Sequence, residues 1–322
     1  MKLAATVILY KPEEIGMDTV KANIQSYAFY SDIIYVVDNS PEETMANREL
    51  ASSIGKCVYI YNGNKGGIAG AQNKACRQAI KDGYEWLMTM DQDSIFEPEQ
   101  IKTYMHLVET YIPTDEKAVS FGPQIKNMNQ QIYWTKQIRF KILSPIKRKI
   151  LGKRWKPRQA LQKPVLEFPE GIIASSNIIK LSAWEEVGGF DEFLFIDEVD
   201  LDFCHKLKRL GYRIVKFRDA YLTQFYGAKT FSILPKYFGK YSPFRLYYIF
   251  RNMYIQRYRF PEYKARYDDA IMKRFYDSCI NTIHPIRNFR IFLKARKDAK
   301  EFIHGEINVM NIEKHSQKRA KN

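Results

Sequence analysis

Leu87-Met88-Thr89-Met90-Asp91-Gln92-Asp93-Ser94 is an apolar run that ends in two carboxylates one residue apart. It predicts a buried strand that delivers its acids to the open end of a sheet. Side chains two apart on an extended backbone share a face, so Asp91 and Asp93 could both reach one divalent cation. A metal held in this way suits the bridging of two phosphates. An isolated Asp-x-Asp is equally the signature of a solvated turn or a helix cap, so the surrounding chain has to decide.

Upstream, strand-like and helix-like segments alternate. Residues 3–10, LAATVILY, read as a strand and 17–30 as a helix, and Ile33 to Val37 is a second strand running into Asp38-Asn39-Ser40-Pro41. A third strand, Cys57 to Tyr61, leads through Asn62-Gly63-Asn64-Lys65-Gly66-Gly67 into a helix that includes Gln72 and ends near Lys81. This alternation predicts an α/β sheet with ligands collected at the carboxyl ends of its strands. Asp38 sits at such an end, where it could equally make a simple Asx turn. Gly66 and Gly67 allow close backbone approach, and free amides at a helix start favour phosphate. No Gly-Lys-Ser/Thr follows, and the glycines come after the third strand, so neither a Walker loop nor a dinucleotide fingerprint is present. A glycine turn without a ligand remains an open reading.

Downstream, Pro98 and the acids around it open a helix to about Tyr111, and Val119 to Pro123 forms a further strand. Residues 136–158 contain ten Lys and Arg and no acid, interleaved with apolar residues. They read as an insertion, about 136–160, whose chemistry suits an anionic bilayer. The small residues of Gly171 to Asn177 would admit an extended sugar or lipid-linked substrate. Ser182 followed by Glu185 has the form of a capping box, and Gly188-Gly189 that of a helix stop. Asp197, Glu198, Asp200 and Asp202 crowd the start of a helix that continues to about Leu210. The helix dipole favours one or two acids there. Four repel one another, which raises carboxylate pKa values and suits one of them to act as a base.

The whole chain has 322 residues and carries 51 Lys and Arg against 36 Asp and Glu, a net charge of +15. Such a surplus implies an anionic partner, whether nucleic acid, an anionic membrane or a phosphorylated substrate. No recognised nucleic-acid module is present, and the excess charge falls outside the expected sheet, so a polyanion-binding protein is the minor alternative. No apolar run reaches the roughly 18–20 residues of a membrane span, and the start MKLAATVILYKPEE lacks the core of a signal peptide. A cytoplasmic protein is expected. Cys57, Cys76, Cys204 and Cys279 show no CxxC spacing and read as reduced thiols.

VILYKP, VVDNS, NGNKGGIAGAQN, MDQDS, GIIASSN and GGFDEFLFIDEVDLDF occur in the order found in inverting family 2 glycosyltransferases, and the likeness covers roughly residues 3–230. DQDS, LFIDEVD and SPFRLYYIFRN resemble bacterial rhamnosyltransferases of cell-surface polysaccharide synthesis. The resemblance implies a GT-A fold, a mixed nucleotide-binding sheet flanked by helices, over 1–230, with a basic and aromatic helical extension over 231–322. It implies a nucleotide-sugar donor, most simply dTDP-L-rhamnose, or else UDP-galactofuranose or UDP-glucose, and a lipid-linked glycan acceptor. It also implies Mg²⁺ or Mn²⁺ on the diphosphate.

Carried over by position, Tyr10, Asp38, Asn39, Lys65, Gly66, Gly67, Gln72, Asp91 and Gln92 would bind the donor, with Asp38 on the base. Asp91, Asp93 and Gln224 would hold the metal, and Ser175, Ser176 and Asn177 the acceptor. Asp200 would be the base, with Asp197 and Asp202 as alternates. Two departures stand out. Val199 replaces the Glu that many relatives carry before the base, and Gln224 stands where many have a metal-binding His. The second keeps open a scaffold of the same fold without activity. The aromatic and basic stretch from Phe244 to Arg259 and the amphipathic one from Arg287 to Lys300 read as packed helices. Their alternative role is docking on the cytoplasmic face of the plasma membrane. The residues leave oligomeric state open.

Overall fold

The computed structural model describes residues 1–127, 165–225, 241–280 and 282–320. The expected basic insertion and the boundary between 230 and 231 lie outside them. Among the described residues nine strands form one sheet: β1 (Leu3–Leu9), β2 (Ile33–Asp38), β3 (Cys57–Tyr61), β4 (Trp86–Asp91), β5 (Ser94–Ile95), β6 (Ala118–Asn127), β7 (Leu166–Glu167), β8 (Asn177–Lys180) and β9 (Arg213–Gln224). The order across it is β3-β2-β1-β4-β8-β6-β9-β5, and β7 pairs with β9. β1 to β4 are parallel, whereas β8 runs antiparallel to both β4 and β6. The sheet is therefore mixed, as the GT-A type requires.

Period-two alternation divides the side chains between two cores. Leu3, Ala5, Val7 and Leu9 of β1 pack with Val20, Ile24 and Tyr27 of α1 (Met17–Ala28) and with Leu50 and Ala51 of α2 (Met45–Ser52). On the same face lie Ile101, Tyr104, Met105 and Val108 of α4 (Pro98–Tyr111). Ala4 and Ile8 face the other side, onto Ala75, Cys76 and Ala79 of α3 (Gly67–Lys81). After β3 the chain returns to add β4 on the opposite side of β1, which creates a switch point between the carboxyl ends of β1 and β4. Crevices at such points collect ligands.

The remaining α-helices of the described residues are α5 (Leu181–Glu186), α6 (Val199–Arg209), α7 (Pro243–Arg259), α8 (Lys264–Phe275) and α9 (Pro285–Ala320). The expected capping box is corrected: Ser182 lies inside α5, whose N-cap is Lys180 with no side-chain bond. Gly188 and Gly189 do end that segment, at φ 76° and 72°. Ile255 of α7 and Ala299 of α9 share the core of α3 and α6, so the C-terminal helices are packed onto the sheet's own layers. All four cysteines are unpaired. Among the described residues no helix is long and apolar enough to cross a membrane.

His205 shows how tightly α6 is held. Its fully buried ring stacks on Tyr263 at 4.1 Å and meets the edge of Phe260 at 4.8 Å. Neither ring nitrogen has a hydrogen-bond partner. Burial, helped by Arg266 and opposed by Asp202, Glu170 and Glu262, lowers its pKa to about 4. The folded form thus keeps the ring neutral, while the unfolded chain protonates it below about pH 6.5. Stability from this site is complete above that pH and is lost as pH falls toward 4. In denaturant titrations His205→Phe should remove about 2 kcal/mol of the stability loss between pH 7 and pH 5. An unchanged pH dependence would refute the neutral, unpartnered assignment.

Candidate active site

The switch point is closed by an amide bracket. Tyr10 N–H donates to Gln92 Oε1 and Gln92 Nε2 donates to Tyr10 O, each at 2.9 Å. Asn23 Nδ2 holds Gln92 O at 2.8 Å. The side chain of Gln92, expected on the donor, is instead spent on joining the ends of β1 and β4. Tyr10 itself is exposed at that rim.

Asp91 ends β4, and Asp93 follows it in the turn before β5 rather than on the extended strand. The two acids converge nonetheless, because Gln224 Nε2 at the end of β9 donates to Asp91 Oδ2 at 2.9 Å and to Asp93 Oδ1 at 3.2 Å. Ser175 Oγ also donates to Asp91 Oδ2, and Gln224 Nε2 reaches Ser175 Oγ at 3.0 Å. Burial and then the Asp93 charge raise the Asp91 pKa to about 6, against the opposing pull of Ser175, Gln224 and Arg245. Among the described residues no three His, Cys, Asp or Glu side chains group as a metal site. Two crowded carboxylates, and the buried Gln224 Oε1 with no hydrogen-bond partner, nevertheless suit a hard cation whose remaining ligands come from phosphate and water.

The third wall is the loop before α6. Phe195, Asp197 and Glu198 all adopt left-handed backbone, at φ 66°, 60° and 64°. Such residues persist only where surroundings hold them. Asn252 of α7 supplies the hold: its Nδ2 donates to the carbonyls of Leu194 at 2.9 Å, Ile196 at 2.8 Å and Asp197 at 2.9 Å. Beside it the buried Arg251 guanidinium donates to Phe193 O at 2.6 Å and to Leu194 O at 3.2 Å. Pro243 and the Ser242 cap start α7, and Arg245 in its first turn pairs with Asp197, Nη2 to Oδ1 at 3.0 Å and Nε to Oδ2 at 3.0 Å. Asp200, in the first turn of α6, has its pKa raised to about 7 by burial and then by the Asp91 charge, a hydrogen bond at Ala174 opposing. Glu198 is likewise pushed to about 7, by burial and Asp197.

Asp200 and Asp91 thus lie near enough for the charge of one to act on the other, and the alternates to Asp200 are engaged elsewhere. Asp197 is neutralised by Arg245. Asp202, 1% exposed, accepts from Gln256 at 2.9 Å and pairs with Lys206 at 3.1 Å.

Other expectations are also corrected. Asp38 lies at the expected rim, paired in register with Leu9, but it is fully buried. Ser40 N–H at 2.9 Å takes one oxygen, and Asn47 Nδ2 and Tyr59 OH, both at 2.8 Å, take the other. It orders the turn rather than offering a free carboxylate to a base. Asn39 is 4% exposed and bonded to Asn62 and Asn64. A Cβ on Gly67 would lie 2.2 Å from Phe195 O, and one on Gly66 2.8 Å from Glu192 Oε2. The glycines therefore admit the acidic loop, and Ile68 N–H donates to Phe195 O at 2.9 Å where phosphate was expected. Lys65 is exposed beside them, whereas Gln72 is 1% exposed. Of the expected acceptor residues only Ser175 reaches the acids. Ser176 is fully buried, and Asn177, 3% exposed, accepts from Ser120 within the sheet. Arg245, Arg251 and Asn252 were not expected here. Their signal was the Ser-Pro helix start followed by Arg251-Asn252, which names no partner by itself.

Residues 18–168 match the family described as Glycosyl transferase family 2. The chain is a glycosyltransferase with a family 2 domain. Over 252 residues, 78% of either protein, it is 27% identical to the dTDP-rhamnosyl transferase RfbF of Shigella flexneri. It resembles GalNAc-T7, solved with UDP, GalNAc and Mn²⁺, at a TM-score of 0.50 and 13% identity over 70% of this chain and 44% of that one. S. aureus TarS gives a TM-score of 0.49 and 17% identity over 86% and 44%. The chain spans less than half the length of these two solved proteins, and the likeness to GalNAc-T7 is one of fold.

Because Asn252 orients the loop that carries Asp197 and leads into Asp200, its loss should lower glycosyl transfer more than it lowers stability. Asn252→Ala is expected to reduce kcat at least tenfold at little changed donor KM, with about 1–3 kcal/mol lost on unfolding. Full kcat in a folded variant would show the clamp to be structural only.

Proposed function

We propose that the chain is an inverting transferase that moves a sugar, L-rhamnose from dTDP-L-rhamnose, onto a lipid-linked surface-polysaccharide acceptor at the cytoplasmic face of the plasma membrane. One observation carries the mechanism: Asp200 is poised near pH 7 and feels Asp91 across the same site. A carboxylate with that pKa is a competent general base at neutral pH. Asp200 takes the proton of an acceptor hydroxyl as its oxygen bonds to the anomeric carbon. On the opposite face the bond from that carbon to the diphosphate breaks, and its electron pair leaves with the nucleoside diphosphate.

Arg245 exchanges part of its pairing with Asp197 for the leaving phosphates, to which it is a fixed cation. A divalent cation held by Asp91 and Asp93, with an oxygen from Gln224, would supply further stabilisation of that leaving charge. The rhamnose assignment is supported by the relationship to the Shigella flexneri enzyme. The exposed Lys65 and Tyr10 are left as the donor contacts at the rim, and Ser175 as a contact for the acceptor side.

Purified full-length protein incubated with dTDP-L-rhamnose, UDP-galactofuranose or UDP-glucose, a lipid-linked acceptor and Mn²⁺ or Mg²⁺ tests this by mass spectrometry of the product. Transfer from dTDP-L-rhamnose should dominate, and Asp200→Asn should lower kcat at least about a hundredfold. Preference for a UDP-sugar would replace the donor assignment, and full activity of the Asn variant would remove Asp200 as the base.

A further inference from the structure

Among the described residues the C-terminal hairpin exposes apolar side chains at its tip. α8 continues into a π-helical turn, Tyr276–Ile280, and along one line this segment exposes Met272 at 67%, Tyr276 at 57% and Ile280 at 59%. Across the turn, Ile283 at 49% precedes Ile286 at 70% and Phe289 at 44% on α9. The two lines are held together, since Phe275 packs on Phe289 and Phe292 at 6.1 and 4.8 Å and Asn288 Nδ2 donates to Ser278 O at 2.7 Å. Single exposed hydrophobic residues need no explanation, but a clustered set at the turn between two helices does.

The charge around the tip is mainly positive, although Asp277 lies in the turn itself. Arg287, Arg290, Lys294, Arg296, Lys297 and Lys300 face Asp298 as the single acid between residues 285 and 300. This arrangement opposes self-association through the tip and favours an anionic surface. The tip also lies close to the acids of the active site. Arg274 of α8 stacks on the Tyr241 ring at 4.7 Å, and Arg245, which pairs with Asp197, lies 5.7 Å from the same ring.

We propose that this hairpin is a bilayer-docking wedge: Ile280, Ile283, Ile286 and Phe289 enter the boundary between headgroups and acyl chains, and the α9 cations meet anionic lipid phosphates. The wedge deepens the reading of a lipid-linked acceptor, because it would set the mouth beside Arg245 at the membrane surface where such an acceptor is anchored.

Full-length protein is sedimented with vesicles of phosphatidylcholine alone or mixed with phosphatidylglycerol, without donor or acceptor. Binding is expected only to the anionic vesicles and should weaken with salt. The double variant I283D/I286D should lower the partition coefficient by roughly tenfold or more, and R287E/R290E should do so independently. Donor turnover on a water-soluble acceptor should stay unchanged in both. Equal vesicle binding by wild type and both variants overturns the wedge, as does a change confined to oligomeric state in sedimentation velocity. Vesicle binding that persists while no donor is turned over would overturn the transferase assignment and leave the wedge standing.

Discussion

The Asn252 side chain is the constraint on which the site depends. One amide group holds three carbonyls of the 193–198 loop, and Arg251 beside it holds two more contacts. The loop they hold has three left-handed non-glycine residues, each costing about 1–3 kcal/mol. Hydrogen bonds of about 1 kcal/mol, and about 1.5–3 where the donor is charged, offset a cost of that order. Without α7 the loop would relax, and with it the placement of Asp197, Glu198 and Asp200. The first of the C-terminal helices thus fixes the loop that carries these acids.

Charge balance is the second organising feature. Asp91, Asp93, Asp197, Glu198 and Asp200 gather in one partly buried place, and their mutual repulsion adds to burial in lifting Asp91, Glu198 and Asp200 above ordinary carboxylates. Arg245 and the Gln224 amide offset some of this without removing it. A site left electronegative in this way is suited to a cation, and its raised carboxylates are suited to accept a proton.

Several motifs proved to serve the fold where a ligand was expected. Asp38, Gln92, Asn177 and the glycines at 66 and 67 sit near the expected rim, yet their polar atoms or free space are taken by the protein. The glycine-rich turn is the clearest case. Its lack of side chains is required, but what approaches is the backbone of Phe195 rather than a phosphate. Sequence shows that something must come close there and cannot say what, because both partners demand the same absence of Cβ.

What the sequence determined by itself was local. Period-two runs such as LAATVIL set which residues face each core, and the alternation of strands with helices set the sheet and put Asp91 at its rim. That an acid among residues 197–202 would be raised was legible because acids crowded at a helix start repel one another; Asp200 was picked out only by the family resemblance, and burial with the distant Asp91 does most to raise it. Tertiary structure alone decided the partners: that Gln224 bridges Asp91 and Asp93, that Arg245 neutralises Asp197, and that Asp202 is retired into a buried hydrogen bond from Gln256. These contacts join residues 48 to 133 positions apart. No local rule reaches that far, since the chain between them must fold before either side chain can meet the other.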